Sequence, residues 1–150
     1  MDLGRKRVGL AISDPSGTLA RPLRTIDRTG SDEHAAAALA SAIGALAAED
    51  DGVDAVVVGL PRRLDGSETD ETRHVRRMVA RLEALVRVPI VLQDERLSSH
   101  EADSRLAFNE RDWRKRKVRL DAAAAAVILQ DYLDTRRADV ITPTTASVED

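Results

Sequence analysis

The distribution of hydrophobic and polar positions predicts that the chain opens with short strands joined by tight turns. The segment KRVGLAIS is an apolar run with the Val and Ile content of a strand. The DPSG that follows predicts a turn, because Pro comes after Asp and Gly stands fourth. TLARPLRTI predicts a second extended segment, which Pro22 restricts to an edge strand or a bulged one. The opening of the chain is therefore expected to form an antiparallel meander.

Helical spacing dominates the rest of the chain. An alanine-rich segment that Ser31 or Asp32 can cap is followed by one in which Val75, Met78 and Leu82 recur at helical spacing. Helices are expected over residues 31–50, 67–87, 98–108 and 119–137. The last of these is rich in alanine, which allows close approach to a neighbouring element.

Two continuous apolar runs, DAVVVGLP and VPIVLQ, have the pattern of buried strands, and the first is expected to stop at Gly59 and Pro61. Three antiparallel strands followed by alternating helices and strands indicate an α/β fold with a mixed sheet. The pattern predicts one domain over residues 1–138 and a polar C-terminal tail over 139–150, expected to be disordered.

Composition narrows the possible functions. The chain has 150 residues, of which 43% are hydrophobic, 33% charged and 2% aromatic, and it has no cysteine. Disulfides and thiolate metal sites are thereby excluded. No apolar leader follows Met1, and no run approaches the roughly 18 apolar residues of a membrane span. A cytoplasmic protein without a membrane partner is expected. The net charge is −3, but ERDWRKRKVR carries six basic residues against two acids and could bind a polyanion.

Three acid-bearing stretches lie where elements begin or end. They are Asp2 in DLG, the pair Asp94 and Glu95 after a buried strand, and Asp121 at the start of the last helix. Asp121 has a simple alternative role, because an acid in the first turn of a helix is favoured by the helix dipole. It shares a helical stripe with Ala125, however, and an acid on an apolar stripe needs a partner.

Each stretch has an ordinary structural explanation on its own, as a turn or a solvated charge pair. Together they suggest a metal site, because three carboxylates at one sheet edge repel one another unless a cation is shared. Carboxylate oxygens suit Mg²⁺ or Mn²⁺, and two such ions can promote phosphodiester cleavage. Arg62 and Arg63 lie in a loop that could follow a nucleic-acid backbone or could be merely solvated. The histidines show no metal spacing and are expected at the surface: His34, His74 and His100.

The segments DLGRKRVGLAISD, VVVGLPRRLDGS, DERLSS and DAAAAAVILQDYL, in this order and spacing, resemble the YqgF (RuvX) family of Holliday junction resolvases or pre-16S rRNA nucleases. The resemblance implies an RNase H-like fold with a central mixed five-stranded sheet, the first three strands antiparallel, flanked by helices. It also implies a divalent-metal-dependent nuclease site. The implied catalytic and metal-binding residues are Asp2, Glu95 and Asp121, with Asp94 as an alternative to Glu95, and Mg²⁺ or Mn²⁺, two ions, as the cofactor.

The resemblance further implies nucleic-acid contacts. Arg7 and Arg96 match basic positions of the family and would contact phosphate or order the site. The other basic residues expected at the nucleic acid are Arg62, Arg63, Arg114, Lys115, Arg116 and Lys117, and Trp113 in the same patch could stack on a base. RNA is the expected partner in preference to branched DNA, and the protein is expected to be a monomer or a homodimer.

The chain departs from the family pattern at its start, since only Met1 precedes Asp2 where the family has several apolar residues. The first strand is therefore expected to be nearly absent, with weaker folding and activity, either because the recorded start lies too far downstream or because the chain begins late. Three alternative functions compete with an rRNA nuclease. They are a junction resolvase, a non-cleaving ribosome assembly factor, and a phosphotransferase of the actin and sugar-kinase type, for which 150 residues are too few.

Overall fold

The computed structural model describes residues 1–95 and 113–141, with side chains described for 1–95 and 120–138. These residues form a mixed α/β structure. Its strands are β1 (Asp2–Leu3), β2 (Arg7–Ser13), β3 (Ala20–Asp27), β4 (Val56–Leu60) and β5 (Ile90–Asp94). Its helices are α1 (Asp32–Ala47), α2 (Asp70–Glu83) and α3 (Trp113–Ile141). The helix expected over 98–108 and residues 142–150 of the expected tail lie outside the described residues.

The first three strands form the expected antiparallel meander, in the order β1-β2-β3. Asp2 lies opposite Gly9 in β2, and Leu3 lies opposite Val8. The β2–β3 register shifts between Leu10 and Ala11, where Pro22 enters the pairing. This irregularity agrees with the expectation that Pro22 belongs to an edge or bulged strand, because proline cannot donate a hydrogen bond to a neighbouring strand.

The five-stranded sheet is not observed as a single unit, because β4 and β5 form a separate two-stranded parallel sheet. The reason is the length of β1, which has only two residues. Met1 nevertheless connects the two sheets: its amino group donates to the Val57 carbonyl at 2.6 Å, and its carbonyl accepts from the Gly59 amide at 3.0 Å. The resulting spatial order is β3-β2-β1-β4-β5. Beyond Met1, a cleft of about 440 Å³ opens between β2 and β4.

The helices cover the two faces of the strands. Val8 and Leu10 of β2 and Val58 of β4 belong to one buried cluster with α1 and α2. Helix α3 packs on the other face, against β1, β2, β3 and β4. Its stripe is as expected, with Ala125 and Ile128 fully buried. Asp121 therefore lies next to the strand residues that point toward α3, and not next to those that point into the larger core.

The helix starts follow ordinary capping chemistry. Of the two residues that could cap α1, Ser31 is the one that does so, by accepting from the His34 amide, and Asp32 lies inside the helix. Helix α2 starts at a capping box formed by Thr69 and Thr72, three residues later than the pattern suggested. None of the helices in the described part of the chain combines the length and the apolar character needed to cross a bilayer.

One of the histidines that were expected at the surface lies in the interior instead. His74 is buried, and its Nε2 lies 2.8 Å from a guanidinium nitrogen of Arg28. Arg28 also donates to the Gly4 carbonyl and to Asp32, so it ties the β1–β2 turn to α1 and α2. Since Arg28 can only donate, His74 Nε2 must be the unprotonated acceptor. Burial, followed by the Arg28 charge, lowers the pKa of His74 accordingly.

Candidate functional site

Asp2 lies on the strand face that meets α3. Directly opposed residues of antiparallel strands point to the same face, and Asp2 is paired with Gly9. A Cβ atom at Gly9 would come within 1.9 Å of the Asp121 carbonyl oxygen, which shows that this face is the one covered by α3. Asp2 is partly buried there. The first acid of the sequence is therefore held by β1 and not by a frayed end.

Glu95, and not Asp94, turns toward the same face. The Glu95 amide donates to the Leu60 carbonyl at 3.3 Å, which extends the alignment with β4 by one residue. Its carboxylate lies over Gly59, where a Cβ atom would be 2.7 Å from Glu95 Oε2. Asp94 is exposed at the end of β5. The geometry thus favours Glu95 in the pair that the sequence left open.

Asp121 reaches the site because α3 and β2 approach unusually closely. The contact at Gly9 is between main-chain atoms, so it fixes the backbone of Asp121 against the strand. The side chain of Asp121 is 28% exposed and finds its partner in Arg7, whose Nε donates to Asp121 Oδ2 at 2.8 Å. This pairing provides the partner that an acid on an apolar stripe requires.

The three carboxylates are linked electrostatically through Asp2. Burial, followed by the Asp121 charge, raises the pKa of Asp2 to about 6. Burial, followed by the Asp2 charge, raises the pKa of Glu95 to about 7. Among the described residues, no three acidic or histidine side chains are already gathered as a metal-binding cluster. The site therefore holds two poorly solvated acids next to a third that is engaged by arginine.

The basic residues expected at the nucleic acid fall into two groups. Arg62, in the loop after β4, is partly buried, and its Nε has no hydrogen-bond partner among the described residues. Arg63 is exposed in a turn. Its carbonyl accepts from the Gly66 amide, and its amide donates to the Ser67 carbonyl. Arg96 and the side chains of Trp113, Arg114, Lys115, Arg116 and Lys117 lie outside the described residues, so their roles stay predictions.

Two glycines that the sequence did not assign to the site turn out to shape it. Gly9 gives α3 access to β2, and Gly59 leaves room for the Glu95 carboxylate and the Ile128 side chain. Gly59 was expected to stop its strand, but it lies inside β4. A signal was present, since an isolated glycine within a run of β-branched residues often marks a close approach of another group.

The chain is similar to known proteins over most of its length. A family profile described as "RuvX: Holliday junction resolvase" matches residues 1–135. A protein of Anaeromyxobacter dehalogenans is 46% identical over 136 residues, which cover 91% of this chain and 95% of the relative. A protein of Maridesulfovibrio salexigens is 44% identical over 133 residues, 89% and 94% of the two chains. A Nocardioides protein is 44% identical over 147 residues, 95% and 90%. All three bear the name "Putative pre-16S rRNA nuclease".

Proposed function

The chain belongs to the RuvX family, and we propose that it is a metal-dependent nuclease that hydrolyses phosphodiester bonds in the precursor of 16S rRNA. The observation that carries the proposal is the convergence of Asp2, Glu95 and Asp121, which come from three distant parts of the sequence, on the α3 face of the strands. The names of the relatives support rRNA processing as the context.

The donor chemistry of the site fits Mg²⁺ or Mn²⁺. Carboxylate oxygens are the preferred ligands of both ions. Burial raises the pKa values of Asp2 and Glu95, and a bound cation would compensate for the hydration that burial removes from their charged forms. Asp2, Glu95 and Asp121 would hold two such ions. When bound, the ions supply an activated water molecule and stabilise the leaving oxygen of the phosphodiester.

The residues of the chain itself then bind and orient the substrate. Arg7 lies next to Asp121, and Arg62 lies in the loop after β4 with its Nε unpaired among the described residues; both offer guanidinium groups, which match the geometry of a phosphate. Hydrolysis consumes one water molecule and breaks one P–O bond, which leaves a phosphate on one product and a hydroxyl group on the other. A bound cation would offset the burial of Asp2 and Glu95 and favour the charged forms of both acids near neutral pH.

The strand order β3-β2-β1-β4-β5 and its α3 cover support an RNase H-like arrangement of the domain. The family description supports a second candidate, resolution of branched DNA. We place RNA first because junction resolution needs a two-fold symmetric dimer, and no feature of the sequence indicates such a dimer. A cytoplasmic location, which fits rRNA processing, stays a prediction.

Cleavage assays test the proposal. Purified protein is incubated with Mn²⁺ and either a 5′-labelled RNA that spans the 16S precursor end or a labelled four-way DNA junction. The substitutions Asp2→Asn and Asp121→Asn keep the shape of each side chain and remove its charge. We expect RNA cleavage by the parent and a loss in each variant greater than the roughly 10- to 100-fold that outer-shell partners typically contribute.

Glu95→Gln and Asp94→Asn form a matched pair for the third acid. Only Glu95→Gln is expected to abolish cleavage, because Asp94 is exposed and Glu95 faces the site. Cleavage of the junction alone would favour the resolvase. Binding of the RNA without any cleavage would favour the assembly factor and contradict the nuclease.

A further inference from the structure

Arg7 supplies a positive charge to one acid of the candidate metal site, Asp121. Its Nε lies 2.8 Å from Asp121 Oδ2, and the two side chains are 24% and 28% exposed, so the pair is largely shielded from solvent. Asp2, on the neighbouring strand β1, lies opposite Gly9, the residue against which the backbone of Asp121 packs. The guanidinium therefore neutralises one member of a group of three repelling acids.

The pairing leaves the Asp121 carboxylate little freedom to join the other two acids. The backbone of Asp121 is pressed against β2 at Gly9, so the residue cannot approach Asp2 by a movement of its main chain. A side-chain rotation that turns Oδ2 away from Arg7 and toward Asp2 would break the hydrogen bond that Oδ2 accepts from Arg7. The absence of a gathered metal cluster among the described residues is consistent with this competition.

We propose that Arg7 is an exchangeable counter-cation, which holds Asp121 until a divalent metal ion replaces it and is then freed to bind a phosphate of the nucleic acid. The proposal rests on the metal-dependent nuclease function given above. It unites two roles, because the same guanidinium orders the metal-free site and contacts the substrate. Metal and phosphate then favour each other's binding, since each removes a competitor of the other.

Metal binding to Arg7→Gln tests the exchange. The chain offers a matched control in Arg5, which lies in the β1–β2 turn just before Arg7 and pairs with Glu71 at 2.6 Å on an exposed surface. Mn²⁺ is titrated by calorimetry into metal-free protein. We expect Arg7→Gln to bind Mn²⁺ roughly tenfold more tightly than the parent, a typical coupling between two sites. Arg5→Gln should stay within about twofold of the parent, because a solvated charge is screened.

A second measurement keeps the test valid if Arg7→Gln fails to fold. In the ¹⁵N-labelled parent, the Arg7 Nε–H resonance should move toward that of a solvated arginine as Mg²⁺ is added, whereas the Arg5 resonance should not. An Arg7 resonance that stays in place while the Asp2 amide responds would overturn the exchange.

The results separate this inference from the proposed function. If the parent binds Mn²⁺ through Asp2, so that Asp2→Asn abolishes binding, but Arg7→Gln binds no more tightly, only the exchange is wrong. If neither the parent nor Arg7→Gln binds Mn²⁺, both the exchange and the metal site are wrong. Binding by Arg7→Gln that exceeds binding by the parent and depends on Asp2 supports both.

Discussion

At the scale of single residues, Gly59 decides where the Glu95 carboxylate lies. A methyl group at this position would meet Ile128 Cδ1 at 2.6 Å and Glu95 Oε2 at 2.7 Å, and both atoms are the far ends of flexible side chains. We therefore expect Gly59→Ala to fold, with a loss of about 1 kcal/mol in the free energy of unfolding. The affinity for Mn²⁺ should fall by about tenfold or more, because Glu95 is displaced. Urea unfolding and calorimetry measure the two effects.

Gly44→Ala is the matched control for this substitution. Gly44 is exposed within α1, and a Cβ atom there would meet nothing within 4 Å. This substitution should leave Mn²⁺ affinity unchanged and raise the free energy of unfolding by about 0.5–1 kcal/mol, because alanine is a better helix former than glycine. Unchanged Mn²⁺ affinity in Gly59→Ala as well would show that Glu95 is not a ligand.

At the scale of elements, the contact between β2 and α3 is a main-chain contact and cannot adapt to a side chain. In Gly9→Ala the added methyl group would lie 1.9 Å from the Asp121 carbonyl oxygen and 3.0 Å from the Ala122 amide nitrogen. The helix must therefore move off the strand, and we expect the free energy of unfolding to fall by about 2–3 kcal/mol or more. Chemical denaturation measures the change. A smaller loss than in Gly59→Ala would contradict the close approach of the two elements.

Arg28 connects elements on the opposite face of the strands. It is 10% exposed and donates to Asp32 and to the Gly4 carbonyl, with His74 as a third partner. Arg28→Met keeps part of the apolar stem but leaves these acceptors without a donor, so we expect a loss of about 2–4 kcal/mol in the free energy of unfolding. Arg24→Met, at an exposed residue of β3, should change the free energy of unfolding by no more than about 0.5 kcal/mol. Equal effects of the two substitutions in urea would contradict the role of Arg28.

These elements also show what the sequence could and could not predict. The meander, α1, α2 and the inward stripe of Asp121 were predictable, because periodicity and capping are local properties of the chain. The last helix was only partly predicted, since α3 begins at Trp113, six residues before the expected start at 119, and Asp121 is not in its first turn. The partners of Asp121, His74 and Gly4 were not, since each comes from a residue more than 20 positions away. His74 could have been suspected from its position beside the apolar stripe of α2, four residues before Met78. The shortness of β1 was expected, but the division of the sheet that accompanies it was not, because periodicity does not report how strands pair.

At the scale of the whole molecule, the buried carboxylates of Asp2 and Glu95 lower the stability of the metal-free protein near neutral pH. The folded-state pKa values of Asp2 and Glu95, about 6 and about 7, lie above the ordinary values of 3.8 and 4.5. At pH values between the ordinary pKa of each acid and its folded-state pKa, the folded protein binds more protons than the unfolded chain. The stability that the two protonated acids contribute is complete below about pH 4 and is lost as the pH rises through 6 and 7. His74 acts in the opposite direction, because its lowered pKa makes the fold less stable as the pH falls below about 6.5.

Comparison of the parent with Glu95→Gln isolates the carboxylate from the histidine, which both proteins share. In EDTA, the free energy of unfolding of the parent relative to Glu95→Gln should fall by about 1–3 kcal/mol between pH 5 and pH 8. Mg²⁺ should reverse this trend, because a bound cation favours the charged acids and stabilises only the folded state. The gain from Mg²⁺ should therefore be larger at pH 8 than at pH 5 in the parent and nearly absent in Glu95→Gln. Urea unfolding with and without Mg²⁺ measures both differences, and a gain from Mg²⁺ that is equal in the two proteins would place the metal away from Glu95.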